Sequence, residues 1–391
     1  MPISLPSSAT FAWVLVVLAL AGCAYQLLAT FAVLRWARRP RPVAAERRPV
    51  TLLKPLCGDE VGLDDNLESF TRLTYPSVQM VCGVRDSNDP AIGAVRRLQA
   101  TSPDSDIDLV VDPRTYGTNY KVSNLINMMK AAKHDILALS DSDMRIEPND
   151  LDLVIGTLEQ PGTGLATCLY LGDPQPGLWS ELGAAGVNYW FLPSAMVSKL
   201  LGGKVGCYGA TIALRRETLE RVGGFQVLKD QLADDYALGA LVRDQNLRVS
   251  VAPNLLRTVV NEPSFLELCR HELRWARTIR NTEPVGFAGT VITHPVPLAL
   301  IAGALGLTAG LGWPMLAGVL AGAVGCRLAL VTSVLRAFGA PRLRWWLLLP
   351  RDILSLAILV LAYSGRSVSW RQSAFHLDRA GSLVAEGETR G

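Results

Sequence analysis

The pattern of apolar and polar positions divides the chain into three regimes. From Ala9 to Leu34 no charged residue occurs, and at about 1.5 Å per helical residue that run exceeds the roughly 30 Å core of a bilayer. It predicts a transmembrane helix within residues 1–34. A second stretch, Pro284 to Cys326, lacks Asp, Glu, Lys and Arg and has room for two spans of about 20 residues, with Gly310, Gly312 and Pro314 marking a hairpin turn. A last apolar segment, Trp345 to Tyr363, is interrupted by Arg351 and Asp352, so it either crosses or lies at the interface. Crossing would leave Arg366, Arg371 and Arg379 outside, against the positive-inside bias. The expected total is three to four spans, two or three of them in a C-terminal membrane region, 284–365, ahead of a tail, 366–391.

Between these lies a stretch, 50–283, with the patterning of a soluble domain. Short β-rich runs at Val50–Leu53, Val78–Val84, Ile107–Val111, Ile136–Leu139 and Leu165–Leu169 alternate with helix-like segments at Asn66–Leu73, Ala91–Ala100, Val122–Ala132 and Leu151–Leu158. That alternation predicts an α/β domain with a mostly parallel sheet, whose ligands sit at the carboxyl ends of its strands.

Composition sharpens the division. Of the 391 residues, 49% are hydrophobic and 19% charged, which excludes a disordered chain and an ordinary soluble enzyme. The net charge of +3 is smaller than the charge of one cluster, where six arginines (Arg35, Arg38, Arg39, Arg41, Arg47, Arg48) face only Glu46. Residues 35–49 thus read as a basic juxtamembrane linker that holds 50–283 in the cytoplasm. A nucleic-acid partner is not expected, because the cluster directly follows an apolar run instead of covering a folded face with interleaved aromatics. A cleaved signal peptide is the alternative for the first segment, but it calls for a basic start, and MPISLPSSAT is uncharged. The seven cysteines form no CxxC pair and indicate neither a disulfide framework nor a zinc site.

Candidate chemistry gathers at strand and helix ends. Ile136–Leu139 runs into Ser140-Asp141-Ser142-Asp143; were the strand to continue, both carboxylates would point the same way. Such a pair calls for a cation, and a divalent ion bridging a diphosphate fits, because Mg²⁺ takes one or two carboxylates and completes its shell with phosphate and water. A polar Asp/Ser turn is the plain alternative. Asp86 follows Val78–Val84 and could accept from a ribose or base, or share a turn with Asp89-Pro90 as a helix cap. Lys121, in Gly117-Thr-Asn119-Tyr-Lys121, could meet a diphosphate near a helix start that Asn119 could equally cap. Asp234 and Asp235 begin a helix-like run, where acids favour the dipole; the chemical alternative is a general base whose pKa its neighbour raises. His271-Glu-Leu-Arg274-Trp275 offers a phosphate fork and a flat wall, or an interfacial anchor. The apolar, aromatic run Trp179–Leu201 reads as core or as a membrane-dipping acceptor entrance.

Taken in order, these segments resemble the membrane-anchored family 2 and family 21 glycosyltransferases, most closely the ceramide glucosyltransferases and related bacterial hopanoid-biosynthesis glycosyltransferases. The resemblance runs from Val50 to about Thr293 and extends to Ser369-Trp370-Arg371. It rests on LLKPL (52–56), VRDSNDPAI around Asp86, NYKVSNL (119–125), SDSD (140–143), GATIALRRETLERVGGF (209–225), ADDY (233–236) and HELRW (271–275). It implies a GT-A fold that binds a UDP-sugar and transfers the sugar with inversion to a hydroxyl of a membrane lipid. It implies too that Asp86 contacts uridine, that Asp141 and Asp143 form the DxD element meeting donor and Mg²⁺ or Mn²⁺, and that Asp235 is the base. Arg274 and Trp275 match the end of the [QR]xxRW motif. His271 stands where that motif has Gln or Arg, and histidine serves a diphosphate only as a neutral or titrating donor. The hopanoid branch implies UDP-N-acetylglucosamine, a polyhydroxylated hopanoid and a bacterial inner membrane; the ceramide branch implies UDP-glucose. A processive polysaccharide synthase shares these motifs but needs more helices for its channel. A nucleotidyltransferase leaves ADDY and RW without a role, and a membrane scaffold leaves the carboxylates without one.

Overall fold

The computed structural model describes residues 8–203 and 206–365, and the backbone of three short strands at Ser367–Trp370, Ser373–Leu377 and Leu383–Ala385. Arg366, Arg371 and Arg379, whose charge argues against a final crossing, lie outside the described residues. The chain packs as two compact units: Arg39–Gln175, Gly202–Asn261 and Ser367–Gly391 form a sheet unit, and Met1–Arg38, Pro176–Leu201 and Glu262–Arg366 a helical one.

The sheet unit is built on eight strands: β1 Val50–Pro55, β2 Val78–Val84, β3 Asp106–Val111, β4 Ile136–Ser140, β5 Met144–Arg145, β6 Thr163–Pro174, β7 Thr211–Arg215 and β8 Arg248–Val260. Their order is β3-β2-β1-β4-β7-β6-β8-β5. β1 is buried along almost its whole length, as a central parallel strand covered on both faces must be. Helices Leu63–Thr71, Ala91–Thr101, Tyr120–Met128 and Asp150–Leu158 follow β1, β2, β3 and β5 in the chain. They lie where the periodicity put them. The sheet is mostly parallel, as expected, but mixed: among the described residues, four of its strand pairings are parallel and three antiparallel. β7 accounts for two of these by running antiparallel to both β4 and β6, and β5, antiparallel to β8, for the third. β8 was hidden because Pro253 and Asn254 interrupt its β pattern, and its pairing with β6 shifts register between Thr167 and Leu169.

In the helical unit, helix Ser8–Ala37 packs through Leu15, Val16 and Ala19 with Val296, Ala299, Ala302, Leu316 and Ala323. That helix, of 30 residues, and Trp313–Phe338, of 26, are long and apolar enough to cross a membrane. A third span results if Pro284–Thr293 and Pro295–Thr308, bent by 67° where they meet, count as one. The hairpin turn lies between Thr308 and Trp313, as Gly310 and Gly312 indicated. Helix Leu348–Leu361 has only 14 residues, about 21 Å, too short to cross alone. Its two charges are buried in pairs. Arg327 donates to Asp352 at 2.7 and 3.1 Å and to the Tyr189 carbonyl at 2.6 Å; Arg351 makes a fork on Glu272 and donates to the Leu182 carbonyl at 3.1 Å. Tyr189 lies in a π-helical turn, Val187–Phe191, between helices Leu178–Gly186 and Leu192–Leu200. These helices, and Phe265–Thr282, fall within the 50–283 stretch yet pack in the helical unit, so that stretch is not one packing unit.

Candidate active site

The chemistry gathers in the sheet unit where β4 ends. The strand stops at Ser140, and Asp141–Asp143 form a turn closed by Met144 N–H donating to the Asp141 carbonyl at 3.2 Å. The strand geometry therefore does not carry through to the two acids; the turn aims them instead. Several groups clamp it. Lys54, fully buried at the end of β1, donates from Nζ to the Asp141 carbonyl at 2.6 Å and lies over the Phe70 ring at 4.1 Å. Asn66 donates to the Ser142 carbonyl at 3.2 Å, Val259 N–H to the Asp143 carbonyl at 3.0 Å, and Thr258 Oγ1 to Asp143 Oδ2 at 2.8 Å.

Lys121 joins this turn to the acids of the ADDY segment. Its Nζ stands 2.7 Å from Asp141 Oδ1 and 3.4 Å from Asp234 Oδ2. Burial alone would depress its pKa, but Asp141 and Asp234 outweigh that and hold it well above the ordinary lysine value. Lys121 sits where it does because Asn119 caps its helix, accepting from Val122 N–H at 3.0 Å while donating to the Gln231 carbonyl at 2.7 Å. The cap reading of Asn119 holds, and the cap itself ties Lys121 to the loop ahead of Asp234. Helix Asp234–Asp244 begins at the two acids. Both of their expected settings apply, at the positive end of a helix and beside other carboxylates.

The electrostatics separate the acids. Asp143 and Asp235 are both half-buried. Desolvation, then Asp141, push the Asp143 carboxyl up to about 6 against the Thr258 hydrogen bond. Desolvation, then Asp234, push Asp235 up to about 7, with Lys121 and Tyr236 N–H opposing. For Lys54, burial brings the pKa down to about 8 although Asp143 and Asp141 pull it up. A Cβ on Gly209 would stand 3.2 Å from Asp141 Oδ2 and 3.4 Å from Asp235 Oδ2; the glycine keeps open the space that both carboxylates border. Burial, then the field of Asp143, Asp235 and Asp141, raises the Tyr170 phenol well above the ordinary value.

The remaining sequence candidates lie on other elements. Asp86 is exposed just beyond β2, where its Oδ1 accepts from Asn88 N–H at 2.9 Å. It is Asp89 that receives Ala91 N–H, at 2.9 Å, and Gly58 N–H, at 2.9 Å. His271, Arg274 and Trp275 belong to helix Phe265–Thr282 of the helical unit. There His271 Nδ1 meets the buried Glu262 at 2.7 Å, and the imidazole stands edge-on to Trp275 with centroids 4.6 Å apart. Glu262 thus engages the Nδ1 side of the imidazole. Lys54, Tyr170, Gly209 and Thr258 carried no assigned role in the sequence; LLKPL and GATIALR were visible as segments, but nothing local shows that they converge on Asp141.

Among the described residues, no three His, Cys, Asp or Glu side chains gather as a metal site. That does not suit an all-protein cage, but Mg²⁺ or Mn²⁺ completed by phosphate oxygens and water needs only one or two carboxylates. Asp143, with its raised pKa and with Asp141 beside it, fits an ion of that kind.

Residues 14–383 match the family profile described as glycosyl transferase family 21. Over 208 residues the chain is 24% identical to ceramide glucosyltransferase 1 of Caenorhabditis elegans, covering 52% of this chain and 44% of that protein. Over 111 residues it is 31% identical to a ceramide glucosyltransferase of Komagataella phaffii, covering 27% of this chain and 22% of that one. It thus spans less than half the length of these relatives. Among solved structures, the mannosyltransferase PcManGT from Pyrobaculum calidifontis, in complex with GDP-Man and Mn²⁺, superposes with a TM-score of 0.52 at 21% identity, over 90% of this chain and 98% of that one. The likeness carries the GT-A-like fold.

Proposed function

The chain belongs to glycosyl transferase family 21, and we propose that this glycosyltransferase moves a sugar from a UDP-sugar to a hydroxyl of a membrane lipid, inverting the anomeric centre. The observation that carries the reading is Asp235: a half-buried carboxylate pushed up to about 7, sharing with Asp141 the space kept open by Gly209. A group with that pKa is half-ionised near neutrality, where a general base works best. In the reaction, Asp235 takes the acceptor hydroxyl's proton as its oxygen forms a bond to the anomeric carbon. The bond from that carbon to the diphosphate oxygen breaks, and its electron pair leaves with UDP. A divalent ion, when bound, neutralises charge on the departing diphosphate. Asp143 would hold it, and Lys121 and Lys54 hold the turn that presents Asp141 and Asp143. No covalent intermediate is involved, so no Ser or Cys nucleophile is required. Asp86 is assigned to the uridine, and Arg274, Trp275 and His271 to the donor side.

The arginines that follow the first span favour a cytoplasmic catalytic unit, and the membrane would be a bacterial inner membrane. For the acceptor, the HELRWARTIR segment and the adjoining GFAGTVITHPVPLAL favour a polyhydroxylated hopanoid with UDP-N-acetylglucosamine. The names of the matched relatives favour ceramide with UDP-glucose. Membranes holding the protein, incubated with each UDP-sugar and each lipid and read by product mass, decide between them. UDP release and glycolipid from neither lipid would refute the transferase reading.

A further inference from the structure

The helical unit holds a second polar site, which the transfer chemistry leaves unused. Pro284–Thr293 and Pro295–Thr308 are bent by 67° at His294, where Pro295 restarts the helix. The N-terminal helix closes on this break. A Cβ on Gly22 would stand 2.5 Å from the Ile292 carbonyl oxygen and 2.9 Å from Pro295 Cβ, so only glycine allows the approach. One turn on, Gln26 Nε2 donates to the Thr293 carbonyl at 3.0 Å. Trp190 Nε1 donates to Thr293 Oγ1 at 2.7 Å, and its ring stacks on His294 with centroids 6.0 Å apart and planes at 13°.

Gln26 and His294 are 2% and 3% exposed, yet Gln26 Oε1 and His294 Nε2 have no hydrogen-bond partner among the described residues. A buried polar atom in that state costs on the order of 1–3 kcal/mol. Two of them around Thr293 mark a place completed by a group from outside the chain. The chemistry of that group is constrained. The site offers an amide oxygen, an imidazole nitrogen and an indole wall, while Arg327 and Arg351 of the same unit are neutralised by Asp352 and Glu272. An uncharged hydroxyl on a large apolar body fits; a phosphate or carboxylate would meet those two cations already paired.

We propose that the helix break at Thr293–Pro295, with Gln26 and His294, is a subsite for the hydroxylated polar end of the acceptor lipid, a hydroxyl donating to Gln26 Oε1 and accepting from His294 Nε2–H. The subsite rests on the lipid-acceptor reading above, and makes the N-terminal helix part of substrate recognition as well as an anchor.

The test uses the full-length protein in nanodiscs, titrated with ceramide and separately with a polyhydroxylated hopanoid at saturating UDP-sugar. Gln26→Leu keeps the side chain's bulk, His294→Phe keeps the ring against Trp190, and thermal unfolding in the same discs checks the fold. Each variant is expected to raise the acceptor KM about tenfold or more, for whichever lipid the wild type uses, with donor KM within about twofold. An unchanged acceptor KM in folded variants overturns the subsite and leaves the two atoms to a buried water. Unfolding of both variants overturns it in favour of a packing role. Binding of the two radiolabelled lipids to the same discs separates the subsite from the transfer reading. Wild type that binds one lipid, with both variants losing it, keeps the subsite even where no sugar moves; wild type that binds neither overturns it.

Discussion

The two units treat buried charge in opposite ways. In the helical unit the buried arginines are matched: Arg327 with Asp352, and Arg351 with Glu272, each using a fork of two donors and taking a backbone carbonyl as well. In the sheet unit Asp141, Asp143, Asp234 and Asp235 share Lys121 and Lys54, and two of the carboxyls are pushed up to about 6 and about 7. Complete pairing makes architecture. Incomplete pairing makes a place where a cation or a proton is welcome, at the cost of stability in the empty protein.

The comparison breaks most directly at Asp235. Asp235→Asn is expected to lower transfer about 10²–10⁴-fold while UDP-sugar binding, measured by calorimetry, stays near the wild-type value; full activity would remove the base assignment. Asp143→Asn should abolish the response of transfer to added Mn²⁺, a loss of about 10³-fold if the ion contributes several kcal/mol. Its effect on stability should have the opposite sign. The raised carboxyl of Asp143 favours the folded state fully only below its unfolded pKa of about 4, and that contribution is lost as pH rises through about 6. Ligand-free Asp143→Asn should therefore unfold at the same or a higher temperature than wild type at pH 8, and gain least at pH 4.

Arg327→Leu should do the reverse. It leaves Asp352 buried without its partner, costing about 3–5 kcal/mol of stability, and Arg327→Leu with Asp352→Leu should recover most of it. Thermal unfolding of both variants decides this; a harmless single variant would mean the pair is not structural. A smaller effect lies in the pH profile. Asp235 must be ionised to accept a proton, so kcat/KM should fall about tenfold per unit as pH drops below about 7, and a flat profile between pH 5 and 8 would count against it. The smallest effect belongs to Asn119→Ala, which removes a cap worth about 1 kcal/mol and should weaken donor binding through Lys121 more than it lowers the unfolding temperature.

Much of this was legible in the sequence, for identifiable reasons. Strands β1, β2, β3, β4 and β6 are short apolar runs bounded by turn residues, and their periodicity survives tertiary packing. Asp141 and Asp143 were visible because acids at the end of an apolar strand need an explanation, whereas Asp235, at a helix start where acids are ordinary, stood out through the family resemblance. Lys54 was not, because a lysine beside a proline in an apolar strand gives no local sign that it reaches a carbonyl 87 residues away. β7 and β8 were hidden for a related reason: their pairing is with strands far along the chain, and Pro253 disguises one of them. Helices Leu178–Gly186 and Leu192–Leu200 could be read as core or as a membrane element, since an apolar helix looks the same in either; packing alone assigned them to the helical unit.

The π-helical turn at Val187–Phe191 gives the chain an unusual sensitivity to length. Such a turn is an α-helix carrying one surplus residue, and each residue of an α-helix rotates the next by about 100°. Deleting a single residue there would restore regular winding and still leave a well-formed helix. It would also change the phase between the helix before the turn and the helix after it, so that Trp190 and Ser194 could not keep Thr293 and Tyr25 as partners while Leu182 kept Arg351. Insertions and deletions should therefore be far more damaging across these five positions than substitutions.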